Sequence, residues 1–426
     1  MNKMKKHILF LAGLMIIFSA CKKIEDAPTD TSDQKLSAAL SAYQTQLTGA
    51  QFGWKGYLLT DAKITATFLF SFTDKNRTIM SADYSATPAE SSYRLKALQR
   101  PTLMFDTYST LHLLSDPTPS KFGGATGGGY YSDFEFAFVS SSPDTIHMEG
   151  TFNKSKLILV RSKSAADNAS AFTAPDDIAI TLSKLLTYFK RSTVGGVECE
   201  LRVDPNDRVF GFNYLENGEL KTVSSNYFVS GTKIILFKPI TIGTTTISGL
   251  EDVTFDAGAK VINTKISGGS SLQIKEAIAP LKYDATGAQR WLAWALASTY
   301  VSSELGFHIN GVDDALGLRT LAGYRRLDYY PKANATYDNA RIVATTSYGP
   351  AIIPTLTSTG LAIFPNSGFQ FGTVPVAANA VYTKYLTQLF QSQGYYLIQT
   401  NGGTTETITY DMVNVADAKA WVSWHY

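Results

Sequence analysis

The sequence predicts an α+β protein, predominantly antiparallel β, in which helix-plus-meander units pack as two or more β-rich domains. Three observations predict it. Short runs rich in aromatic and β-branched residues, such as Ala66-Thr-Phe-Leu-Phe-Ser-Phe72, alternate with turn chemistry along most of the chain. Amphipathic helical stretches occur singly, each ahead of a group of such runs. A chain of 426 residues has room for two or three domains of about 100–200 residues each.

Taken in order, Lys3, Lys5 and Lys6 precede an apolar run from Ile8 to Phe18, the layout of a secretory signal peptide over residues 1–20. The run is shorter than the roughly 20 apolar residues that a spanning helix needs. Phe18-Ser-Ala-Cys21 resembles a bacterial lipobox, with Phe18 where leucine is commoner. The resemblance implies that the Cys21 thiol takes a diacylglyceryl group and that Cys21 becomes the new N-terminus. A cleaved leader without lipid is the alternative. More than one acyl chain is needed for lasting attachment, because each buried methylene contributes about 0.8 kcal/mol. Residues 21–33 then form the lipidated cysteine and a polar tether. Its basic-then-acidic opening, Lys22-Lys-Ile-Glu-Asp26, is similar to the surface-export signals of Bacteroidetes lipoproteins. That similarity implies an outer-membrane protein, lipid-anchored and exposed at the surface.

Residues 34–165 read as an N-terminal β-rich domain with a packed helix. Leu36, Leu40, Tyr43 and Leu47 make the helical stripe, with Asp33 as N-cap and Gly49 as terminator. Strands follow from Trp54, Ala66 and Thr78. Pro88 to Leu98 reads as helical, pairing Glu90 with Arg94 at i and i+4. Gly123 to Tyr131 is a glycine-rich loop without the lysine and helix of a phosphate cradle. Phe134, Phe136 and Phe138 alternate with polar neighbours, which puts Asp133 and Glu135 on one strand face.

Residues 175–426 read as a C-terminal α+β region, divided near 280. Pro175 starts a helix over Asp176–Ser192, on the stripe Ile178, Leu182, Leu185, Leu186 and Phe189. Strands resume at Glu198–Val203, Arg208–Tyr214, Lys233–Phe237 and Thr245–Phe255, with Asn217-Gly218 as a two-residue hairpin turn. Further helices are expected over Ala288–Ser303 and Ala377–Gln393. Asp74-Lys-Asn-Arg77, Asp204-Pro-Asn-Asp-Arg208 and Tyr337-Asp-Asn-Ala-Arg341 read as Asx-capped turns, since none has a calcium loop's length and closing glutamate.

The chemistry is sparse. Lysine and arginine number 38 against 36 acids, and the leader holds three of the lysines, so the mature chain is near neutral and lacks a nucleic-acid footprint. Cys199 sits in strand-like text as a buried, inert thiol. The five histidines are not spaced as zinc ligands, and no nucleophile elbow, Walker loop or dinucleotide fingerprint occurs, so no metal and no cofactor is expected. Glu90, Asp106, His112, Asp133 and Glu135 are the clustered polar residues from which a hydrolytic site could be assembled. Trp54, Trp291, Trp421 and Trp424 would suit sugar stacking if exposed and core packing if not.

Phe52-Gly-Trp-Lys-Gly-Tyr57, Asp74-Lys-Asn-Arg77, Glu90-Ser-Ser-Tyr-Arg-Leu-Lys96, Phe105-Asp-Thr-Tyr108, His112-Leu-Leu and Tyr131-Ser-Asp-Phe-Glu-Phe136 resemble a family of Bacteroidetes lipoproteins of unknown function. The resemblance is densest between Phe52 and Val160. It implies an accessory role beside Sus-type outer-membrane transporter components, capturing peptide or glycan nutrients, and it brings no catalytic residues with it. The expectation is therefore a noncatalytic cell-envelope binding lipoprotein. A hydrolase with a spatially assembled site and a purely structural envelope protein are the alternatives.

Overall fold

The computed structural model describes residues 31–401 and 408–425, so the expected leader, Cys21 and most of the expected tether lie outside it. The chain forms two compact units. Among the described residues, one comprises residues 31–56, Leu69–Ser81 and Ser85–Ser162; the other comprises Tyr57–Phe68, Ala82–Tyr84 and the described residues from Lys163 onward. No helix among the described residues is long and apolar enough to cross a membrane.

Helix α1 spans Ser32–Thr48. Its cap is Thr31, not Asp33. The Thr31 hydroxyl accepts from the Gln34 N–H at 3.3 Å, and the Gln34 side chain accepts from the Thr31 N–H at 2.8 Å. That reciprocal box satisfies two end groups at once and leaves Asp33 in the first turn, where its charge favours the positive helix end. Gly49 closes the helix, as its position in the sequence implies.

Eight strands then form a closed, up-and-down barrel: β1 Trp54–Leu59, β2 Thr65–Phe72, β3 Arg77–Ala82, β4 Ser85–Ala97, β5 Pro101–Phe105, β6 Glu135–Ser142, β7 Thr145–Gly150 and β8 Lys156–Arg161. Closure removes the open edges of a meander. Alternate residues such as Phe70, Tyr93, Leu103, Phe105, Phe136, Met148 and Leu159 are buried. Helix α1 is tied to the barrel by Trp54, whose indole N–H donates to the Leu47 carbonyl at 2.9 Å, and by Tyr43 stacked on Phe138 with centroids 3.7 Å apart. Pro88 to Leu98 is not helical. Ser91 and Tyr93 are buried while Glu90 and Arg94 are exposed, a period of two that belongs to β4.

Helix α2, Ala174–Ser183, precedes a second closed barrel: β9 Phe189–Val194, β10 Val197–Asp204, β11 Val209–Glu216, β12 Glu219–Ser230, β13 Lys233–Ile242, β14 Thr245–Asp256, β15 Val261–Ile266 and β16 Ser271–Ala277. The helix expected to reach Ser192 therefore stops nine residues early. Phe189–Val194 instead pairs with both β10 and β16, with Val197 opposite Val194 and Ala277 opposite Phe189, and this double pairing closes the ring. Asn217 and Gly218 have φ of 53° and 80°, the left-handed pair that a tight hairpin turn requires. Cys199, Phe210, Phe212, Ile234, Leu250 and Ile274 belong to a core that fills this barrel.

After helix α3, Gly287–Ala297, come β17 Val301–Ser303, β18 His308–Ile309, β19 Arg326–Tyr330, β20 Asp338–Val343, β21 Ser347–Ile352, β22 Thr355–Leu356, β23 Ala362–Ile363 and β24 Gln370–Phe371. Helix α4, Asn379–Leu389, leads to β25 Tyr395–Asn401, β26 Thr409–Asn414 and β27 Ala420–Trp424. One sheet runs β17-β19-β20-β21-β24 and the other β18-β27-β26-β25-β23-β22. Trp291, Trp294, Tyr329, Phe364, Tyr385 and Trp424 share their core. The helix expected over Ala288–Ser303 ends at Ala297 because Val301–Ser303 pairs with β19. Tyr337 to Arg341 is not a turn but the entry to β20; the Asx cap there is Asn334, which accepts from the N–H groups of Thr336 and Tyr337 at 2.8 Å. Asp204 does cap its own turn, accepting from the N–H groups of Asn206 and Asp207.

Candidate functional site

The polar residues singled out in the sequence lie on or beside β4, β5 and β6 of the first barrel, and each has its own structural partner. Glu90 pairs with Arg77 at 2.6 Å, not with Arg94. Arg94 reaches across to Asp106, donating through Nε and, at 3.0 Å, through Nη2. Glu135 lies 3.9 Å from Lys96. Glu90·Arg77 links β4 to β3, Arg94·Asp106 links β4 to the residue after β5, and Glu135·Lys96 links β6 to β4, all on exposed or half-exposed side chains of the barrel wall.

Asp133 and Glu135 do not share a strand face, because β6 begins only at Glu135. Asp133 is buried in the connection before it. Its carboxylate accepts from the backbone N–H groups of Phe152 and Asn153 at 2.9 Å, from that of Ser155 at 3.1 Å, and from the Ser155 hydroxyl. The β7–β8 turn is thus folded around one carboxylate. Gly150 makes the approach possible, since a Cβ there would stand 1.9 Å from Asp133 Oδ2.

His112 is also committed. Its Nδ1 accepts from the Ser109 N–H at 3.2 Å and its Nε2 faces the Phe105 carbonyl at 3.3 Å, a pattern that fits the neutral Nε2–H tautomer. Burial holds its pKa below the ordinary histidine value, with the Phe105 carbonyl opposing in part. The ring stacks between Tyr108, at 5.7 Å, and Phe134, at 5.2 Å. Tyr108 donates its hydroxyl to Asp116, and this bond pushes the phenol's pKa up and the carboxyl's down.

Beside these bonded polar groups the constellation exposes aromatic rings. Tyr108 is 58% exposed, Tyr131 44%, Phe134 43% and Phe152 86%. All four belong to, or are held by, the excursion between β5 and β6, which leaves and re-enters the barrel at one point, where the Phe105 N–H donates to the Phe134 carbonyl at 2.9 Å. Exposed rings on a braced backbone lose little entropy when they meet a ligand. Sequence reasoning placed its aromatic candidates elsewhere. Trp54, Trp291 and Trp424 are core residues with no open face, and Trp421 is half-buried with its ring stacked on His308 at 3.8 Å. The available signal was Phe152, an aromatic set inside the turn text Gly150-Thr-Phe-Asn-Lys154.

Among the described residues, no group of three or more His, Cys, Asp or Glu side chains is arranged to hold a metal ion. Cys199 is fully buried, and burial pushes its thiol up to about 11.

Residues 25–256 match a family described as Domain of unknown function (DUF4302), a stretch that contains both barrels up to β14. No curated protein matches the chain. Solved structures similar to it include the Helicobacter pylori beta clamp bound to a DNA ligase peptide, at 9% identity over 92% of this chain and 96% of that one, with a TM-score of 0.13. Another is the beta subunit of DNA polymerase III from Thermotoga maritima, at 8% identity over 92% and 97%, with a TM-score of 0.12. At these scores neither likeness bears on fold or function.

Proposed function

This chain belongs to the DUF4302 family, and from that premise we propose that it is a noncatalytic binding lipoprotein of the cell envelope, lipid-anchored through Cys21 on the outer membrane. Its role is to capture glycan or peptide nutrients at the surface, as an accessory to Sus-type uptake components. The observation that carries the binding reading is the braced aromatic rim of Tyr108, Phe134 and Phe152, beside which each polar group that could have served catalysis is bonded to a structural partner. The anchor reading is supported by the lipobox-like Phe18-Ser-Ala-Cys21 and the polar tether behind it.

Glycan and peptide arrays probed with the leaderless chain, beside the Tyr108→Ala/Phe134→Ala/Phe152→Ala variant, test the binding reading. Retention of one ligand class by the parent and its loss in the variant is the expected result. Equal retention by both would remove the rim from the function. For the anchor, Cys21→Ala is expected to release the protein from membranes or to leave the precursor uncut, and unchanged acyl labelling would contradict it.

A further inference from the structure

The β17-β19-β20-β21-β24 sheet has one face in the hydrophobic core, through Val301, Leu327, Tyr329, Ala340 and Ile342. The residues between these point the other way. There, Tyr300, Arg326, Asp328, Tyr330 and Arg341 form a stack. Arg326 lies over the Tyr300 ring at 5.0 Å, the Tyr300 and Tyr330 centroids are 4.9 Å apart, and the Arg341 guanidinium lies 3.4 Å from the Tyr330 centroid. Two cations flank one carboxylate.

That carboxylate is spent. Asp328 is fully buried; it accepts from Arg326 Nε at 2.6 Å and from the Tyr330 hydroxyl at 3.1 Å. Arg341 sits directly opposite Asp328 in the strand register, yet it receives neither oxygen. Its Nε is buried with no hydrogen-bond partner, and its guanidinium has no ion-pair partner among the described residues. A guanidinium seated over a ring still has its planar N–H edge to offer, which is the donor fork that a planar carboxylate fills.

We infer that Arg341, held over the Tyr330 ring, anchors a binding site for a carboxylate-bearing ligand. The ligand's two oxygens meet the Nη edge of the guanidinium, since Nε is buried, while Arg326, locked by Asp328 and Tyr300, contributes field rather than direct bonds. The surplus positive charge selects an anion, and the fixed fork selects a planar one over a tetrahedral one. This site shares no residue with the aromatic rim and survives if the rim reading fails.

The test titrates D-galacturonate, D-galactose and inorganic phosphate into the leaderless chain, following binding by calorimetry and the Arg341 Nε–H resonance by NMR. Galacturonate is expected to bind one per chain and to shift that resonance, with galactose silent and phosphate at least about tenfold weaker. Arg341→Lys keeps the charge and loses the fork, and is expected to weaken galacturonate at least about tenfold, or about 1.4 kcal/mol. Tyr330→Phe, which keeps the stacking face, is expected to stay within about threefold of the parent. Phosphate binding as well as galacturonate, an unmoved Nε–H resonance, or full affinity in Arg341→Lys would each overturn the inference. The resonance is read on the unaltered protein, so a folding defect in a variant does not affect it, and the rim triple variant is expected to bind galacturonate normally.

Discussion

Asp133→Ala removes the acceptor around which the β7–β8 turn is built. Four donors lose their partner: the N–H groups of Phe152, Asn153 and Ser155, and the Ser155 hydroxyl. The Ser155 donors are buried, and an orphaned buried donor costs about 1–3 kcal/mol. The Phe152 and Asn153 donors are partly exposed, so water recovers most of their bonding. The expected loss is therefore about 3–5 kcal/mol, read as a lower urea midpoint at unchanged slope. Ser155→Ala deletes the hydroxyl donor with its bond and also orphans the buried Asp133 N–H, which donates to Ser155 Oγ at 3.1 Å, so it should cost about 2–4 kcal/mol. Gly150→Ala attacks the same clamp from the other side, because its new methyl would stand 1.9 Å from Asp133 Oδ2. Its cost should shrink by at least about 1 kcal/mol in the Asp133→Ala background, as expected of groups in direct contact. Additive costs in that cycle, or an Asp133→Ala loss below about 1 kcal/mol, would refute the argument that this carboxylate organises the rim.

Burial depresses the His112 pKa in the folded state, so the unfolded chain takes up a proton first as pH falls. Stability is expected to be full above the unfolded value of about 6.5 and to decline below it until the folded ring also titrates. Urea midpoints from pH 7.5 to 5 should show that slope, reduced but not abolished in His112→Gln, since burial depresses His147 in the same direction. Cys199, with its thiol pushed up to about 11, should resist alkylation at pH 8 in the folded chain and react fully after denaturation; rapid labelling of the native protein would show that it is not buried. The exposed Glu90·Arg77 pair should matter little: Glu90→Ala is expected to cost about 0.5 kcal/mol or less, and a larger loss by thermal unfolding would mean that Glu90 does more than face solvent.

Helix-then-meander order, the Asn217-Gly218 hairpin, the Gly49 stop and the burial of Cys199 could all be read from residue chemistry, because each depends on a local preference or a period within a few residues. The misplaced elements share another cause. Lys184 to Ser192 continues an apolar stripe at helical spacing, yet Phe189–Val194 is a strand because β10 and β16 both need it as a partner. Glu90 and Arg94 have the spacing of a helical pair, but the buried Ser91 and Tyr93 beside them fix the period at two. Closure of a barrel is a long-range condition that no short window contains. Burial of three candidate tryptophans and the capture of Asp133 by a turn some twenty residues away belong to the same class.

The two barrels are built alike, and their difference supports the proposed binding surface. In the second, every connection is a turn between strands that nearly abut: Val194 to Val197, Glu216 to Glu219, Ser230 to Lys233 and Ile242 to Thr245 are the shortest. In the first, the connection from Phe105 to Glu135 is long, and it carries Tyr108, His112, Tyr131, Asp133 and Phe134. A barrel needs no such excursion to close, as the second barrel demonstrates. The insertion ties a histidine, two aspartates and the glycine-cleared β7–β8 turn into bracing exposed rings, and leaving Phe152 in water forgoes the burial that a core position would supply, which supports the proposed binding role. Surface rings held rigid at such a cost are what a binding protein displays, and loops on a closed scaffold are where binding residues concentrate.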